Sequence, residues 1–379
     1  MTLRCRISIA WLAAAVAGGV VQSAPLRAQR GADSSFAGLV ARLSEPSGYF
    51  DSDNIITNEA SYLHVASQLE KAHVRGGIYL GVGPDQNFSY IALIRPTIAF
   101  LIDIRRDNLL EHLLFKSLFM MSRNRLEYLC LLLGKPVPAD VEKWTGRPTQ
   151  EVLAYLGGTK VDSQAVDATR KASNARITRM NVPLDAHDRD MIDRYRAQFV
   201  AEGLDTRYSS LGRNNRFDYP SFGGLMVATD RAGRQLSYLA DESEFQFVRT
   251  MQMNDRIVPI VGNVAGDKAL KAVAVYAAEH NLNVSAFYLS NVEQYLMGRD
   301  GGFDAYAKNV KLLPHDSTSV IIRSYFGGRF GAGQHPLYVP APGNISTSLV
   351  ELMDSFNRAF AAGELWGYTA LVSDRYIKP

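Results

Sequence analysis

The stretch that decides the fold is residues 78–103, IYLGVGPDQNFSYIALIRPTIAFLID. Residues 78–83 are an apolar run that ends in glycine, which predicts a short strand entering a tight turn. Residues 88–94 predict a helix that ends before a proline. Residues 98–103 form a continuous apolar run, which suits a parallel strand buried on both faces. The stretch therefore predicts a strand, helix and strand unit of a parallel sheet.

Each part of this unit has a physical role in a nucleotide-binding fold. Gly81 and Gly83 let the backbone turn sharply and let a ligand come close. The helix start offers free N–H groups, and Asp103 at the end of the second strand can hold ribose hydroxyls. The plain alternative is a tight turn followed by a surface acid. The unit predicts a ligand pocket formed by Gly81, Gly83, Asn87 and Asp103.

The same residues resemble the cofactor motif of class I S-adenosylmethionine-dependent methyltransferases. Two spaced glycines and an acid at the end of the second strand characterise that motif, and Gly81, Gly83 and Asp103 match it. Asp85 stands where many methyltransferases have a third glycine, and it joins Asn87 in the predicted cofactor site. The resemblance implies a Rossmann-like fold, S-adenosylmethionine as the cofactor and a methyl acceptor that the sequence does not name.

The alternation of strands and helices returns in the second half of the chain. Apolar runs at residues 256–261, 284–289 and 319–324 predict three more strands, with a helix over residues 267–280 between the first two. Such an alternation predicts an α/β fold, with a mostly parallel sheet covered by helices on both faces.

Two polar pairs follow these later strands, Gly262-Asn263 and Ser290-Asn291. Under the methyltransferase resemblance they fall near the adenine and substrate sites, so Gly262, Asn263 and Ser290 are added to the predicted cofactor site. Asn291 offers both a donor and an acceptor, and Glu293 is a candidate to orient or deprotonate a nucleophile. The plain alternative is that Ser290 or Asn291 caps a helix whose first turn carries Glu293.

Other nucleotide folds match less well. The dinucleotide fingerprint needs a third glycine where Gln86 stands, although a dehydrogenase remains an alternative. Residues 262–269 link a strand to a helix, but their spacing does not fit a phosphate loop. The strings GVGPDQNFSYIA and FYLSNVEQYL also resemble an uncharacterised family of exported bacterial proteins, which has no activity to carry over.

Charge and composition narrow the partners. Residues 1–28 contain three arginines and no acid, so the rest of the chain has 38 basic and 38 acidic residues. A neutral protein without a basic stripe is not expected to bind nucleic acid, and a small-molecule ligand is the expected partner. The sequence has no G-x-S-x-G or H-E-x-x-H motif. Cys130 lies among leucines and is expected to be a buried, inert thiol.

The chain divides into a leader and one domain. Residues 1–28 have the basic, apolar and small-residue order of a secretory signal peptide, and residues 29–50 are polar enough to predict a flexible leader. Residues 51–379 are predicted to form a single methyltransferase-like domain with a mostly helical insertion at about 108–215. A hairpin is predicted around Gly233, and no integral membrane segment is expected after cleavage.

Two functions follow from these features. The first is methyl transfer from S-adenosylmethionine to an unknown acceptor. The second is a non-catalytic cell-envelope protein with a degenerate nucleotide-binding fold. The expected export to the periplasm or cell envelope favours the second, because this cofactor is made in the cytoplasm.

We predict cleavage after Ala28, because the basic start and apolar run end in a small-residue region there. N-terminal sequencing of the protein from a cell-envelope fraction should give a first residue of Gln29. Protein that keeps Met1 and stays in the cytoplasm would contradict the prediction.

Overall fold

The computed structural model of the chain describes residues 35–210, 219–326, 344–372 and 375–378. The strands that it contains are Ile78–Val82 (β1), Ile98–Asp103 (β2), Ile257–Val261 (β3), Val284–Tyr288 (β4), Val320–Tyr325 (β5) and Thr347–Leu352 (β6). The helices are Phe36–Leu43 (α1), Ala66–Lys71 (α2), Gln86–Ile94 (α3), Arg106–Met121 (α4), Arg125–Leu133 (α5), Thr149–Gly158 (α6), Ser163–Arg179 (α7), Ala186–Glu202 (α8), Phe222–Met226 (α9), Glu242–Met253 (α10), Ala269–Glu279 (α11), Val292–Met297 (α12), Gly302–Lys311 (α13), Met353–Ala361 (α14) and Tyr368–Leu371 (α15). The predicted signal peptide lies outside the described residues.

The described strands form one sheet in the order β3-β2-β1-β4-β5-β6. All neighbours are parallel except β6, which runs antiparallel to β5. This order is the one found in Rossmann-type sheets, and it reverses direction between β1 and β4. The predicted α/β fold with a mostly parallel sheet is confirmed. Pro259 lies in β3 at the edge of the sheet, where its missing N–H is tolerated.

The strands are buried because helices cover the sheet. All residues of β1, β3 and β4 are buried, which explains why these segments are continuous apolar runs rather than alternating ones. Between β2 and β3 the chain forms the predicted helical insertion, which contains α4 to α8 and begins two residues earlier than expected, at Arg106. No helix in the described ranges combines the length and apolar character needed to cross a membrane.

Part of the predicted flexible leader is ordered. Residues 36–43 form α1, because apolar side chains recur at helical spacing and Ser35 accepts a hydrogen bond from the Gly38 amide. The helix buries one face against the core at Phe36, Leu39, Val40 and Leu43. The prediction of a flexible leader is therefore wrong for this helix.

A 3₁₀ turn at Tyr62–Val65 leads directly into α2. One further local prediction needs correction. The hairpin expected around Gly233 is a single bridge between Thr229 and Gln235, and the residues before it form α9 instead. Ser221 caps α9 by accepting a hydrogen bond from the Gly224 amide. This cap favours a helix at residues 222–226 over the predicted strand.

A buried ion-pair network joins the last two strands to α12. Arg323 of β5 lies 2.7 Å from Glu293 and 2.6 Å from Glu351 of β6, and all three side chains are at most 3% exposed. Tyr306 donates to Glu293 at 3.1 Å, and Arg375 lies 3.1 Å from Glu351. Glu293 therefore depends on Arg323 for charge compensation among the described residues, whereas Glu351 shares Arg323 and Arg375.

We expect Arg323→Met to lower the free energy of unfolding by about 3–5 kcal/mol, because it leaves the buried Glu293 carboxylate without a cation and leaves Glu351 with Arg375 alone. Urea unfolding followed by circular dichroism measures this. Arg375→Met is the matched control and should cost less, since that side chain is 20% exposed and Glu351 keeps Arg323. Equal losses in the two variants would contradict the analysis.

Candidate functional site

A large cavity opens at the carboxyl ends of the strands, beside the point where the strand order reverses. It contains about 960 Å³ of space, counting solvent at its mouth. Residues at the ends of β1, β2, β3 and β4, or just after them, all line it: Gly83, Asp103, Gly262, Asn263, Ser290 and Asn291. Open α/β sheets bind ligands at this place. Six of the ten predicted site residues therefore meet in one cavity.

The two glycines of the turn have different roles. Gly83 lines the cavity and has a φ of +83°, a conformation that a side chain would strain. Gly81 does not line it. A Cβ on Gly81 would lie 1.9 Å from Asn87 Oδ1 and 2.8 Å from the Tyr79 hydroxyl. Gly81 thus makes room for a side chain of the protein, and its predicted ligand contact is corrected.

Asn87 closes the turn from inside. Its Nδ2 donates to the carbonyls of Val82 at 2.9 Å, Gly83 at 3.1 Å and Pro84 at 2.8 Å. Its Oδ1 accepts from the Tyr79 hydroxyl at 2.8 Å. The side chain is fully buried and makes no contact with the cavity, so Asn87 is a structural residue rather than a ligand contact.

Asp103 presents one engaged and one free carboxylate oxygen. Oδ1 accepts from the Arg105 amide at 2.8 Å and lies 3.4 Å from Arg105 Nε. Arg105 is held in turn by the carbonyls of Ser52 at 2.8 Å and Asp53 at 2.9 Å. Oδ2 accepts no hydrogen bond from any described residue. Asp103 therefore has one oxygen available to a ligand in the cavity.

Gly262 and Asn263 shape the end of the cavity beside β3. A Cβ on Gly262 would lie 2.4 Å from Ala269 and 2.9 Å from Ile102, so close packing requires this glycine. The Asn263 side-chain oxygen accepts a hydrogen bond from the Ala265 backbone amide at 3.0 Å. The backbone amide of Asn263 donates to the Glu45 carboxylate. The side chain of Asn263 is thus partly used in shaping the turn.

Glu45 belongs to a segment that the sequence did not connect with the site, the strap of residues 44–50. Its carboxylate accepts from the amides of Lys268 at 3.2 Å and Ala269 at 3.3 Å, at the start of α11. The strap also pairs with the end of β2, where the Gly48 amide donates to the Ile104 carbonyl at 2.7 Å. It carries Tyr49 and Phe50 into the cavity lining.

Ser290 is fixed in an uncommon conformation with a φ of +52°. Its hydroxyl donates to Glu59, which also accepts from the hydroxyls of Ser324 and, at 2.9 Å, Tyr288. Burial raises the pKa of Glu59 above its usual value, and these three hydroxyl donors act against the rise. The sequence did not indicate Glu59, because its partners lie in distant strands.

Asn291 lines the cavity together with Gly83 and Asp103. Its side chain makes no capping hydrogen bond to α12. The alternative in which it only caps this helix is therefore not what the structure shows.

Glu293 lies outside the cavity lining. It is 1% exposed, and both of its oxygens are engaged by Arg323, at 2.7 Å and 3.2 Å. The hypothesis that it orients or deprotonates a nucleophile is corrected, because a carboxylate held in this ion pair does not reach the cavity. The acid in the first turn of α12 serves the buried network instead.

Asp85 is buried beside a second, smaller cavity that it shares with Gln86 and Leu225. Its Oδ2 accepts from the Tyr238 hydroxyl at 3.2 Å, whereas Oδ1 has no partner within the described ranges. Burial raises the pKa of Asp85 to about 7. Glu111 of α4 is also fully buried, and neither of its oxygens has a described partner. Asp85 does not line the main cavity, so its predicted cofactor contact is corrected.

Other lining residues came from segments that sequence reasoning passed over. They are polar or aromatic side chains brought in by the segment before α2, the end of the insertion and α12: Asn54, Thr57, Asn58, Tyr208, Tyr295 and Arg299. The sequence contained a signal for the position of Asn54, Thr57 and Asn58. A helix that precedes a parallel strand begins at the carboxyl edge of the sheet, so polar residues just before α2 fall beside the site.

Two chemistries find no support in the described residues. They contain no group of three or more histidines, cysteines or acids arranged to hold a metal ion. Cys130 is buried, and burial raises the pKa of its thiol to about 12, which agrees with the expected inert thiol.

We expect Asp85→Asn to change how stability depends on pH. Folding raises the pKa of Asp85 from 3.8 to about 7, so the unfolded chain releases this proton first as the pH rises. The free energy of unfolding of the wild type should therefore fall between about pH 4 and pH 7. Asp85→Asn lacks this loss. Its free energy of unfolding relative to that of the wild type should therefore rise by up to about 4 kcal/mol between about pH 4 and pH 7.

Thermal or urea unfolding from pH 4 to pH 8 measures the difference. Asp190→Asn, at an exposed position, is the control and should follow the wild type. Parallel profiles for Asp85→Asn and the wild type would contradict a buried, protonated Asp85.

Comparison with known proteins places the chain in a family. None of the curated proteins matches the chain in sequence. The model of the family described as "Domain of unknown function (DUF7790)" matches residues 54–147 and 210–349, which is more than half of the chain. The matched segments include the strand ends that line the cavity and omit residues 148–209, where α6 to α8 lie. The chain therefore belongs to the DUF7790 family.

Proposed function

We propose that the chain binds S-adenosylmethionine in the cavity at the carboxyl edge of the sheet and transfers its methyl group to a small acceptor. The observation that carries the proposal is the meeting of Gly83, Asp103, Gly262 and Asn291 in one cavity beside the strand-order reversal. These residues lie at the ends of four neighbouring strands or just after them. Their arrangement agrees with the methyltransferase resemblance of the sequence.

The side of the cavity beside β1, β2 and β3 fits an adenosine group. The free oxygen of Asp103 can accept hydrogen bonds from two ribose hydroxyls, and the absence of a side chain at Gly83 permits close approach. Ile104 and Val264 give this side apolar walls, and Asn263 gives it an amide. Apolar walls with a few polar groups are typical of cofactor pockets.

The chain would contribute mainly by positioning. The bound cofactor supplies an electrophilic methyl group. Asn291 and Ser290 lie at the end of β4, where they can orient an acceptor. Positioning of two reactants alone removes a large part of a reaction barrier. No carboxylate other than Asp103 lines the cavity within the described ranges, so base catalysis has no obvious residue here.

A second candidate is a binding protein without catalysis. Glu293 is sequestered by Arg323, and Asp85 stands in place of a third glycine, as noted above. Both features favour a fold that retains a ligand pocket without a reactive side chain. The strand order is equally that of dinucleotide-binding proteins, so nicotinamide cofactors belong in the same test.

We expect isothermal calorimetry to show binding of S-adenosylmethionine and its demethylated product, but not of nicotinamide dinucleotides. Asp103→Ala should weaken binding by about 1–3 kcal/mol, because the ribose hydroxyls lose their acceptor. Asp205→Ala, at an exposed position, should have no effect.

The same titrations separate the alternatives. Binding without methyl transfer to any acceptor would favour the non-catalytic function. No binding of either compound, or an Asp103→Ala variant that is folded and binds equally well, would reject the proposed cofactor site.

A further inference from the structure

We infer that the acceptor is a small organic anion with a flat apolar body, of the aromatic carboxylate class. The inference rests on the proposed function and concerns the outer half of the same cavity. By the outer half we mean the lining residues contributed by the strap, the segment before α2, Tyr208, α12 and Arg299. Its charge, its aromatic content and the absence of a base point to the same class.

The first argument is the charge of the lining. Two of the described lining side chains are charged at neutral pH, Asp103 and Arg299. Asp103 lies in the half assigned to the cofactor, so Arg299 is the one charged group left for the acceptor among these residues. The neighbouring polar groups are amides and hydroxyls, such as Asn58 and Thr57. Arg299 can therefore pair with an anionic acceptor, whereas this half has no described carboxylate that could pair with a cationic one.

Arg299 is also available. It lies in the turn between α12 and α13, where the Gly302 amide donates to its carbonyl at 3.0 Å. Its backbone is thereby fixed, whereas its side chain is exposed and forms no ion pair with a described residue. A guanidinium binds a carboxylate through two parallel hydrogen bonds, which gives orientation as well as affinity.

The second argument is the aromatic content. Phe50 of the strap and Tyr295 of α12 meet edge to face, with ring centroids 5.0 Å apart. Tyr49 is 72% exposed, and Tyr208 completes the aromatic lining. Aromatic faces bind flat apolar groups better than flexible polar ones. The exposed Tyr49 ring at the cavity is otherwise unexplained.

The third argument is chemical. When a carboxylate attacks the methyl carbon, an oxygen–carbon bond forms, the sulfonium–methyl bond breaks and its electron pair stays on sulfur. The anion becomes a neutral ester and the sulfonium becomes a neutral thioether. No proton moves, so the reaction needs no base. A cavity whose described lining has no base besides Asp103 suits such an acceptor better than an alcohol or a protonated amine.

The test first uses probes that do not depend on the cofactor. Binding of benzoate, benzamide and benzylamine to the mature chain is measured by ligand-observed NMR. Benzoate should bind at least tenfold more tightly than benzamide, which has the same shape without the charge. Arg299→Gln should abolish that preference, Arg299→Lys should retain part of it, and Arg179→Gln at an exposed position of α7 should retain all of it.

Equal binding of benzoate and benzamide, tighter binding of benzylamine, or a preference that survives in Arg299→Gln would overturn the inference. Methyl-labelled S-adenosylmethionine then tests the reaction on the same probes. Label in a base-labile ester supports the inference, and label on the amine alone overturns it while the proposed function stands. Failure of S-adenosylmethionine to bind rejects the proposed function, whereas the anion preference is still decided by the three probes.

Discussion

The site depends on the way that one amide, Asn87, closes the turn after β1. Its nitrogen binds three successive carbonyls, and its oxygen is held by Tyr79 from the same strand. This packing is possible only because Gly81 has no side chain. In the closed turn, Gly83 lines the cavity with a positive φ, and α3 begins three residues later at Gln86.

The sequence was most informative where the controlling contacts are local. The first strand, the turn, α3 and β2 follow from apolar runs and glycine spacing, and residues 262–263 and 290–291 were found because they end strands. The strap was missed because its partners are far away in sequence: Glu45 binds amides near residue 268. The sequence suggested a catalytic role for Glu293 because its partner, Arg323, lies 30 residues later. The two residues come together only when β5 pairs with β4.

The acids around the sheet edge are unevenly exposed, and this distribution limits the chemistry. Glu59 and Glu293 are buried and engaged by hydroxyls or by an arginine, whereas Asp85 and Glu111 are buried with oxygens that lack described partners. Burial raises the pKa of Asp85 and Glu111, so these groups hold protons more tightly than exposed acids. Asp103 alone among these five acids faces the main cavity.

Stability and function draw on the same buried groups. Ser290 keeps a left-handed backbone, which costs free energy in a residue other than glycine, and Glu59 compensates by binding its hydroxyl. Burying the Glu59 carboxylate also costs free energy. Three hydroxyls donate hydrogen bonds to it, one from β4, one from the residue Ser290 after β4 and one from β5. A fold selected for stability alone would place an apolar side chain there. The arrangement instead fixes the backbone at the end of β4, where Ser290 and Asn291 line the cavity.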